Sequence, residues 1–459
     1  MIEQSVDLVI LGGGSGGYAC ALRAAELGRS VVLIERDKLG GTCLHRGCIP
    51  TKALLHAAEV ADASRNGTKF GVLTQFNGID MAGVNRYKDG VVDRLYKGLQ
   101  GLVKARKIEL ISGTGMFVGP KSVVVDNTTY TGANVVLATG SYSKTLPDLE
   151  IGGRIVTSDQ VLTLEEVPER VVVLGGGVIG VEFASVWNSF GAAVTVVEAF
   201  SRLIPSEDEF ASKKLERAFR RRHIDVRTAT KLTSARTEED QVVVMLESGD
   251  VLEADLLLVA VGRGPNTSGH GFEGAGVTLE RGFVSVDGRL RTNLDGVYAV
   301  GDIVAGPQLA HRGFQQGIFV AEEIAGLDPR LIDDAGIPRV TYCDPEVASV
   351  GLTEIAAQAE FGAVHTITYD LSGNGKSQIL GTTGAIKLIK AGPKGEPGPV
   401  VGIHMVGARV GELIGEAQLI YNWQAEADDV APLVHAHPTQ NEALGEAHLA
   451  LAGKPLHSH

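Results

Sequence analysis

The sequence predicts an α/β protein with two Rossmann-like dinucleotide-binding domains followed by a C-terminal α+β domain. Three observations carry this. A β-rich run, a glycine fingerprint, a helix and a second apolar run ending in an acid occupy residues 5–35, and the same order recurs at 170–198. In both copies the acid stands 23 residues after the first glycine, a spacing that lets a carboxylate reach the ribose of a dinucleotide. From about Gly336 the pattern changes to short alternating strands and then two helices, which reads as a separate α+β domain.

The bulk properties agree with a large globular chain. Its 459 residues suffice for about three domains. The 59 glycines exceed the ordinary share of roughly 7% and point to many tight turns and close backbone approaches. A net charge of -13 argues against nucleic acid or an anionic membrane as the main partner. No apolar run reaches the length of a membrane span, and the N-terminus shows no basic region followed by an apolar core. Four cysteines are too few for a secreted disulfide framework, so a reducing cytoplasm is expected. Cys20 and Cys343 stand alone and are expected to pack as small apolar groups.

The elements follow in order. Residues 5–11 form the first strand and enter Gly12-Gly13-Gly14-Ser15-Gly16-Gly17. A helix at about 18–27 and a strand at 30–34 lead to Glu35. Glycines at these positions let the backbone approach a pyrophosphate at the helix N-terminus. A helix is expected at about 53–63, a polar loop at 67–83, a helix at about 87–106, and short strands at 107–112 and 123–125. The segment closes at Ala138-Thr139-Gly140, and 147–153 reads as a linker. The second unit has its strand at 170–174, Gly175-Gly176-Gly177-Val178-Ile179-Gly180, a helix to about Phe190, and a strand at 193–197 ending at Glu198. Duplication within one chain implies two dinucleotides, or one dinucleotide and a relic. Strand-like runs at 241–246, 255–261 and 296–300 follow, the last entering Gly301-Asp302. The C-terminal part reads as strands at 340–342, 364–369, 385–390 and 400–405, with helices at about 410–425 and 439–452.

Two stretches are dense in chemistry. In Gly40-Gly41-Thr42-Cys43-Leu44-His45-Arg46-Gly47-Cys48-Ile49-Pro50-Thr51-Lys52, two cysteines lie five positions apart. Five residues of an ideal helix turn a side chain about 140° away, so a bridge requires a distorted helix start, which Gly47 and Pro50 favour. A zinc site with His45, a structural staple and a redox-active dithiol are the competing readings. No second Cys pair follows at metal spacing, and one short-loop bridge adds little to so long a chain. The second stretch is His435-Ala436-His437-Pro438-Thr439-Gln440-Asn441-Glu442. Thr439 and Glu442 fit a capping box for the last helix; alternatively, Glu442 orients His437 as a base for thiol chemistry.

Taken together, these motifs resemble the two-dinucleotide-fold flavoprotein disulfide reductases along essentially the whole chain. Gly-Gly-Thr-Cys-x4-Cys-Ile-Pro-Thr-Lys at 40–52, Ala-Thr-Gly at 138–140, Gly-Asp at 301–302 and His-Pro-Thr-x-x-Glu at 437–442 carry the resemblance. His45 and Arg46 depart from the pair common there. The resemblance implies an FAD-binding domain at 1–148, an NAD-binding domain at 149–268, a central segment at 269–335 that completes the FAD site, and a dimerisation domain at 336–459. It places Gly12, Gly14, Gly17, Glu35, Gly41, Thr42, Gly115, Thr139, Gly140, Ser141, Asp302, Leu309, Ala310 and His311 around FAD. Lys52 would lie near the flavin, paired with Glu182. Gly175, Gly177, Ile179, Gly180, Glu198, Leu232 and Gly262 would surround NAD. No metal is implied.

The branch resembled most reoxidises dihydrolipoyl groups. In that scheme His437, held by Glu442, deprotonates the substrate thiol across a homodimer interface. Cys43 then exchanges with substrate, and Cys48 faces the flavin. The implied partners are a second copy of the chain, and the lipoyl domain and acyltransferase core of 2-oxo acid dehydrogenase complexes. The rival readings are a glutathione-type reductase, a mercuric reductase and a flavoprotein scaffold. Glu198 would repel the 2′-phosphate of NADPH, with Arg202 as the one nearby cation. The absence of any cysteine after Cys343 disfavours mercury chemistry, and retention of both cysteines, His437 and Glu442 disfavours a mere scaffold.

Overall fold

The structure is a computed structural model that describes residues 2–119 and 121–457. The first sheet runs Glu109–Ser112, Val31–Glu35, Ile2–Leu11, Thr128–Leu137, Ser122–Val125, Met116–Gly119. Its central strands are parallel, and Leu8 to Leu11 and Val31 to Ile34 are buried, as a sheet covered on both faces requires. Val297–Ala299 adds in parallel beside the end of Thr128–Leu137. A segment far down the chain thus completes the first sheet, and its following helix, Ala310–Ile324, packs on Ser15–Glu26, where Arg23 pairs with Glu322 at 2.7 Å.

The second sheet is parallel, in the order Asp225–Arg227, Ala193–Val197, Arg170–Leu174, Leu256–Val259, Ile155–Thr157. The C-terminal sheet is antiparallel, in the order Arg339–Thr341, Glu346–Gly351, Val400–Gly407, Ala385–Ala391, Val364–Asp370. Its core includes apolar residues of the helices Val410–Asn422 and Glu442–Leu451. Buried charges join it to the second unit: Lys387 Nζ lies 2.8 Å from Asp208, and Arg339 Nε 3.1 Å from Glu207. Among the described residues no helix is long and apolar enough to cross a membrane.

The differences from the sequence reading have local causes. The helix expected from Tyr87 begins at Met81; its first turns carry Gly83 and Asn85, poor helix formers that hide the periodicity. Glu346–Gly351 escaped notice because it lies inside the sheet with nearly every residue buried, so it does not alternate. Leu232–Glu238 escaped for the opposite reason, being a mostly exposed edge strand.

The two glycine units coincide in atomic detail. Gly12 and Gly175 have φ of 110° and 107°, a region costly for residues with a Cβ. A Cβ on Gly17 would stand 1.8 Å from Gly12 O, and one on Gly180 1.9 Å from Gly175 O. The third glycine of each fingerprint therefore sets how closely helix meets strand. By contrast, a Cβ on Gly177 would meet nothing within 4 Å. Gly180→Ala is expected to destabilise the protein by about 3 kcal/mol or more through overpacking, and Gly177→Ala by no more than about 1 kcal/mol. Urea unfolding distinguishes them; equal losses would contradict this account of the turn.

Candidate active site

The carboxyl ends of both parallel sheets open into one cleft of about 1620 Å³. That exceeds the roughly 300–1,000 Å³ of a pocket for a single small ligand. Gly14 from the first loop and Gly175 and Gly177 from the second line it, with Cys43 and Cys48.

The cysteine segment is fastened to the first glycine loop. Gly40 N–H donates to Gly13 O at 2.8 Å, and Gly41 abuts Gly14 so closely that a Cβ would stand 2.7 Å from its Cα. Cys43 lies in the short helix Gly41–Arg46, and Cys48 opens the longer helix Cys48–Asn66. Between them Gly47 leaves helical geometry, at φ -141° and ψ -113°. This break supplies the distortion needed to bring the two sulfurs together. His45 turns away, with Nε2 2.9 Å from Leu39 O and its ring against Tyr96. The zinc reading thereby loses its third ligand.

Hydrogen bonding between the sulfurs separates the two thiols. Together with burial and the charge on Cys48, it holds Cys43 well above the ordinary thiol value. Cys48 is drawn down to about 7 by Cys43 and by Lys52, against burial and the Glu182 charge. Lys52 lies four residues after Cys48, on the same helix face. Its Nζ donates to both oxygens of Glu182 at 2.9 Å. Burial opposes the Lys52 charge, but Glu182 outweighs it and raises Lys52 above its usual value.

The fingerprint glycines divide the labour that a dinucleotide site needs. The first and third are packed against backbone. The second, Gly14 or Gly177, faces the cleft with room beside it, as close approach of a pyrophosphate requires. Glu35 and Glu198 are used alike: Glu35 accepts from Gly13 N and Asp37 N at 2.7 and 2.8 Å, and Glu198 accepts from Gly176 N and Phe200 N at 2.6 and 2.7 Å. Both acids therefore brace their own glycine loop, and Glu198 also lines the cleft. Arg202 donates to Pro205 O at 2.8 Å.

Thr42, Gly140, Ser141, Ile179, Leu232, Gly262, Asp302, Leu309, Ala310 and His311 also line the cleft. Ser141 Oγ donates to Asp302 at 2.5 Å. His311 donates from Nε2 to Pro338 O at 2.7 Å. Thr139 stands behind the wall and donates to Asn266 O at 2.6 Å. Gly115 is buried against Leu11, Val123 and Ile34 and does not line the cleft.

Sequence reasoning missed Arg263 and Asn266. Arg263 donates to Ser141 Oγ, Ser141 O and Ser143 Oγ at 2.8, 2.9 and 3.1 Å. Asn266 Nδ2 donates to Thr139 O at 3.2 Å. Together they clip the end of the second unit onto the first. Their position just after Gly262, past the last strand of the second sheet, was the available signal.

The structure does not bring His437 and Glu442 to the cysteines of the same chain: neither lines the cleft. His437 Nδ1 donates to Glu442 at 2.8 and 3.0 Å, and the imidazole side chain is 71% exposed. Nε2 is left as the proton-accepting atom. Thr439 Oγ1 accepts from Glu442 N at 3.1 Å, which is half of the expected capping box. The helix starts at Glu442, whose carboxylate has turned to His437.

In the reduced protein, Cys48 is expected to take up iodoacetamide along a titration centred near pH 7. Cys43 should react only above the ordinary thiol value of 9.0. Peptide mass mapping across pH separates them. A shared midpoint near the ordinary thiol value would contradict the geometry.

The family described as "Pyridine nucleotide-disulphide oxidoreductase" matches residues 6–317, and its dimerisation domain matches residues 337–448. The chain is 38% identical to a dihydrolipoyl dehydrogenase of Bacillus subtilis (strain 168), over 98% of this chain and 99% of that one. It is also 38% identical to a dihydrolipoyl dehydrogenase of Thermus scotoductus, over 99% of each. Among solved structures, LpdA from Mycobacterium tuberculosis superposes with a TM-score of 0.89 at 25% identity, covering 98% of this chain and all of that one. The HOCl-induced flavoprotein disulfide reductase RclA from Escherichia coli, solved as a Cu(II) complex, gives 0.87 at 27% identity, covering 97% and 99%. A cysteine pair held between two dinucleotide loops, with this coverage on both sides, leads to one conclusion: the chain belongs to the pyridine nucleotide-disulphide oxidoreductase family.

Proposed function

We propose that the chain acts as a dihydrolipoyl dehydrogenase, oxidising a protein-bound dihydrolipoyl group at the Cys43–Cys48 centre with FAD and NAD⁺. The observation that carries this is the cysteine pair in one cleft between both glycine loops, with Lys52–Glu182 beside Cys48. The names of the curated relatives support the substrate.

The residues fit the two groups. The first loop, with Gly12, Gly14, Gly17 and Glu35, would hold FAD, aided by Gly41, Thr42, Lys52, Thr139, Gly140, Ser141, Asp302 and the helix start at Leu309, Ala310 and His311. Gly115, packed against Leu11, Val123 and Ile34, would support that site from outside the cleft wall. The second loop, with Gly175, Gly177, Ile179, Gly180 and Glu198, would hold NAD, with Leu232 and Gly262. A bound flavin supplies the two-electron acceptor that hands a hydride on to NAD⁺. Glu198 carries a negative charge where NADPH would place its 2′-phosphate, and Arg202 is engaged elsewhere.

The protein's own chemistry begins with Cys43 and Cys48 joined as a disulfide. His437 Nε2 takes a proton from one dihydrolipoyl thiol. The thiolate attacks Cys43 Sγ, forming a mixed disulfide and releasing Cys48 as a thiolate. Lys52 stabilises that negative charge. The second dihydrolipoyl thiol attacks the lipoyl sulfur of the mixed disulfide. Lipoamide leaves with its ring disulfide closed, and the proton of that second thiol passes to Cys43 Sγ, the leaving sulfur. Glu442 holds the imidazole so that Nε2 faces the substrate. Because His437 lies outside its own chain's cleft, the base comes from a second copy, through the dimerisation domain.

The same reading assigns the units as 1–148 (FAD), 149–268 (NAD), 269–335 (completing the FAD site) and 336–459 (dimerisation). Its lipoyl substrate comes from the lipoyl domain and acyltransferase core of a 2-oxo acid dehydrogenase complex, in a reducing cytoplasm.

The test is a side-by-side assay of the holoprotein with NADH and lipoamide, and with NADPH and glutathione disulfide. The first pair is expected to be faster by about 100-fold or more, since opposing like charges costs several kcal/mol. Faster turnover with the second pair would overturn the substrate and cofactor assignment.

A further inference from the structure

The Lys52 ammonium has a second neighbour besides Glu182. It sits 4.8 Å from the centroid of the Tyr342 ring, within the range of cation–π attraction. Tyr342 belongs to the C-terminal domain, 160 residues beyond Glu182, and its N–H donates to Glu182 Oε1 at 2.9 Å. One turn further along the Glu182 helix, Ser185 Oγ accepts from Asp344 N at 2.9 Å. Arg222 Nη1 then donates to both Ser185 Oγ and Asp344 O at 2.8 Å. The segment 342–344 is thus pinned to the helix Val178–Phe190 at two points. Its backbone cannot carry the ring away from Lys52 without breaking these bonds.

We propose that Tyr342 is a positioning residue whose ring forms the second wall of the Lys52 ammonium site, so that the C-terminal domain helps set the charge environment at Cys48. This rests on the reading of Cys48 as the thiolate that Lys52 stabilises. Glu182 neutralises Lys52 from one side. The ring gives the ammonium a second contact and restrains it from swinging into the open cleft, which Tyr342, Lys52, Glu182 and Cys48 all line. Cys43, Lys52 and Glu182 face Cys48. Lys52, Glu346, Glu182 and Glu412 face Tyr342. Lys52 is the one cation in either set. The attraction runs through the face of the ring rather than the hydroxyl, so Phe at this position retains it and Leu does not.

The test uses the full-length holoprotein in a Cys43→Ser background, where Cys20 and Cys343 are buried. The pH dependence of iodoacetamide capture at Cys48 is read by peptide mass. Adding Tyr342→Leu is expected to lower the thiolate fraction at neutral pH about threefold. Tyr342→Phe should leave the midpoint where it was, and Lys52→Met should raise it further than Tyr342→Leu does. If Lys52→Met shifts the midpoint and Tyr342→Leu does not, the role of Tyr342 is overturned while the proposed function stands. A shift in Tyr342→Phe as large as in Tyr342→Leu would move the effect to the hydroxyl and also overturn it. An unmoved midpoint in Lys52→Met would remove both this role and the reading of Cys48 on which it rests.

Discussion

Glu182 is 2% exposed, and stripping a buried carboxylate of its cation costs about 3–5 kcal/mol. Lys52 supplies that cation from the helix that Cys48 begins, while Glu182 sits on the helix opened by the second glycine loop. The pair therefore ties the helix that carries Cys48 to the second unit. It also places a positive charge beside Cys48. Tyr342 brings the C-terminal domain to the same point through its backbone N–H. Three parts of the chain meet at one carboxylate, and loosening it would disturb the cleft and the thiol chemistry together.

The duplicated units were legible because their logic is local. Three glycines and an acid at fixed spacing are contained within 24 residues directly after a strand, and the structure repeats even the hydrogen bonds from Gly13 to Glu35 and from Gly176 to Glu198. The acids illustrate the limit of such reading. Spacing pointed to a ribose contact, and the geometry adds a role that spacing does not report, each carboxylate bracing its own loop. Lys52 and Glu182 are 130 positions apart; only the family resemblance joined them. Arg263, Asn266 and Tyr342 work across elements remote in sequence, and no periodicity reports such contacts.

The ambiguous motifs were settled by side-chain direction, which spacing does not encode. At 437–442 the side chains divide: Thr439 Oγ1 accepts from Glu442 N just before the last helix, and Glu442 gives its carboxylate to His437. For the cysteines, the decisive feature is the interruption at Gly47, which divides one helical stretch into two and lets the sulfurs face each other.

The resulting picture is a reaction centre divided between two surfaces. The dithiol lies in the cleft, and His437, the proton acceptor in the proposed mechanism, is exposed in the C-terminal domain. The most direct measurement is turnover of isolated mixed dimers, made by co-expressing differently tagged Cys43→Ser and His437→Gln chains. Each parent homodimer should be inactive. The mixed dimer should recover about half of the wild-type rate, because one of its two sites combines an intact cysteine pair with an intact histidine. A mixed dimer as inactive as its parents would show that the histidine serves its own chain, and would contradict the division of the site.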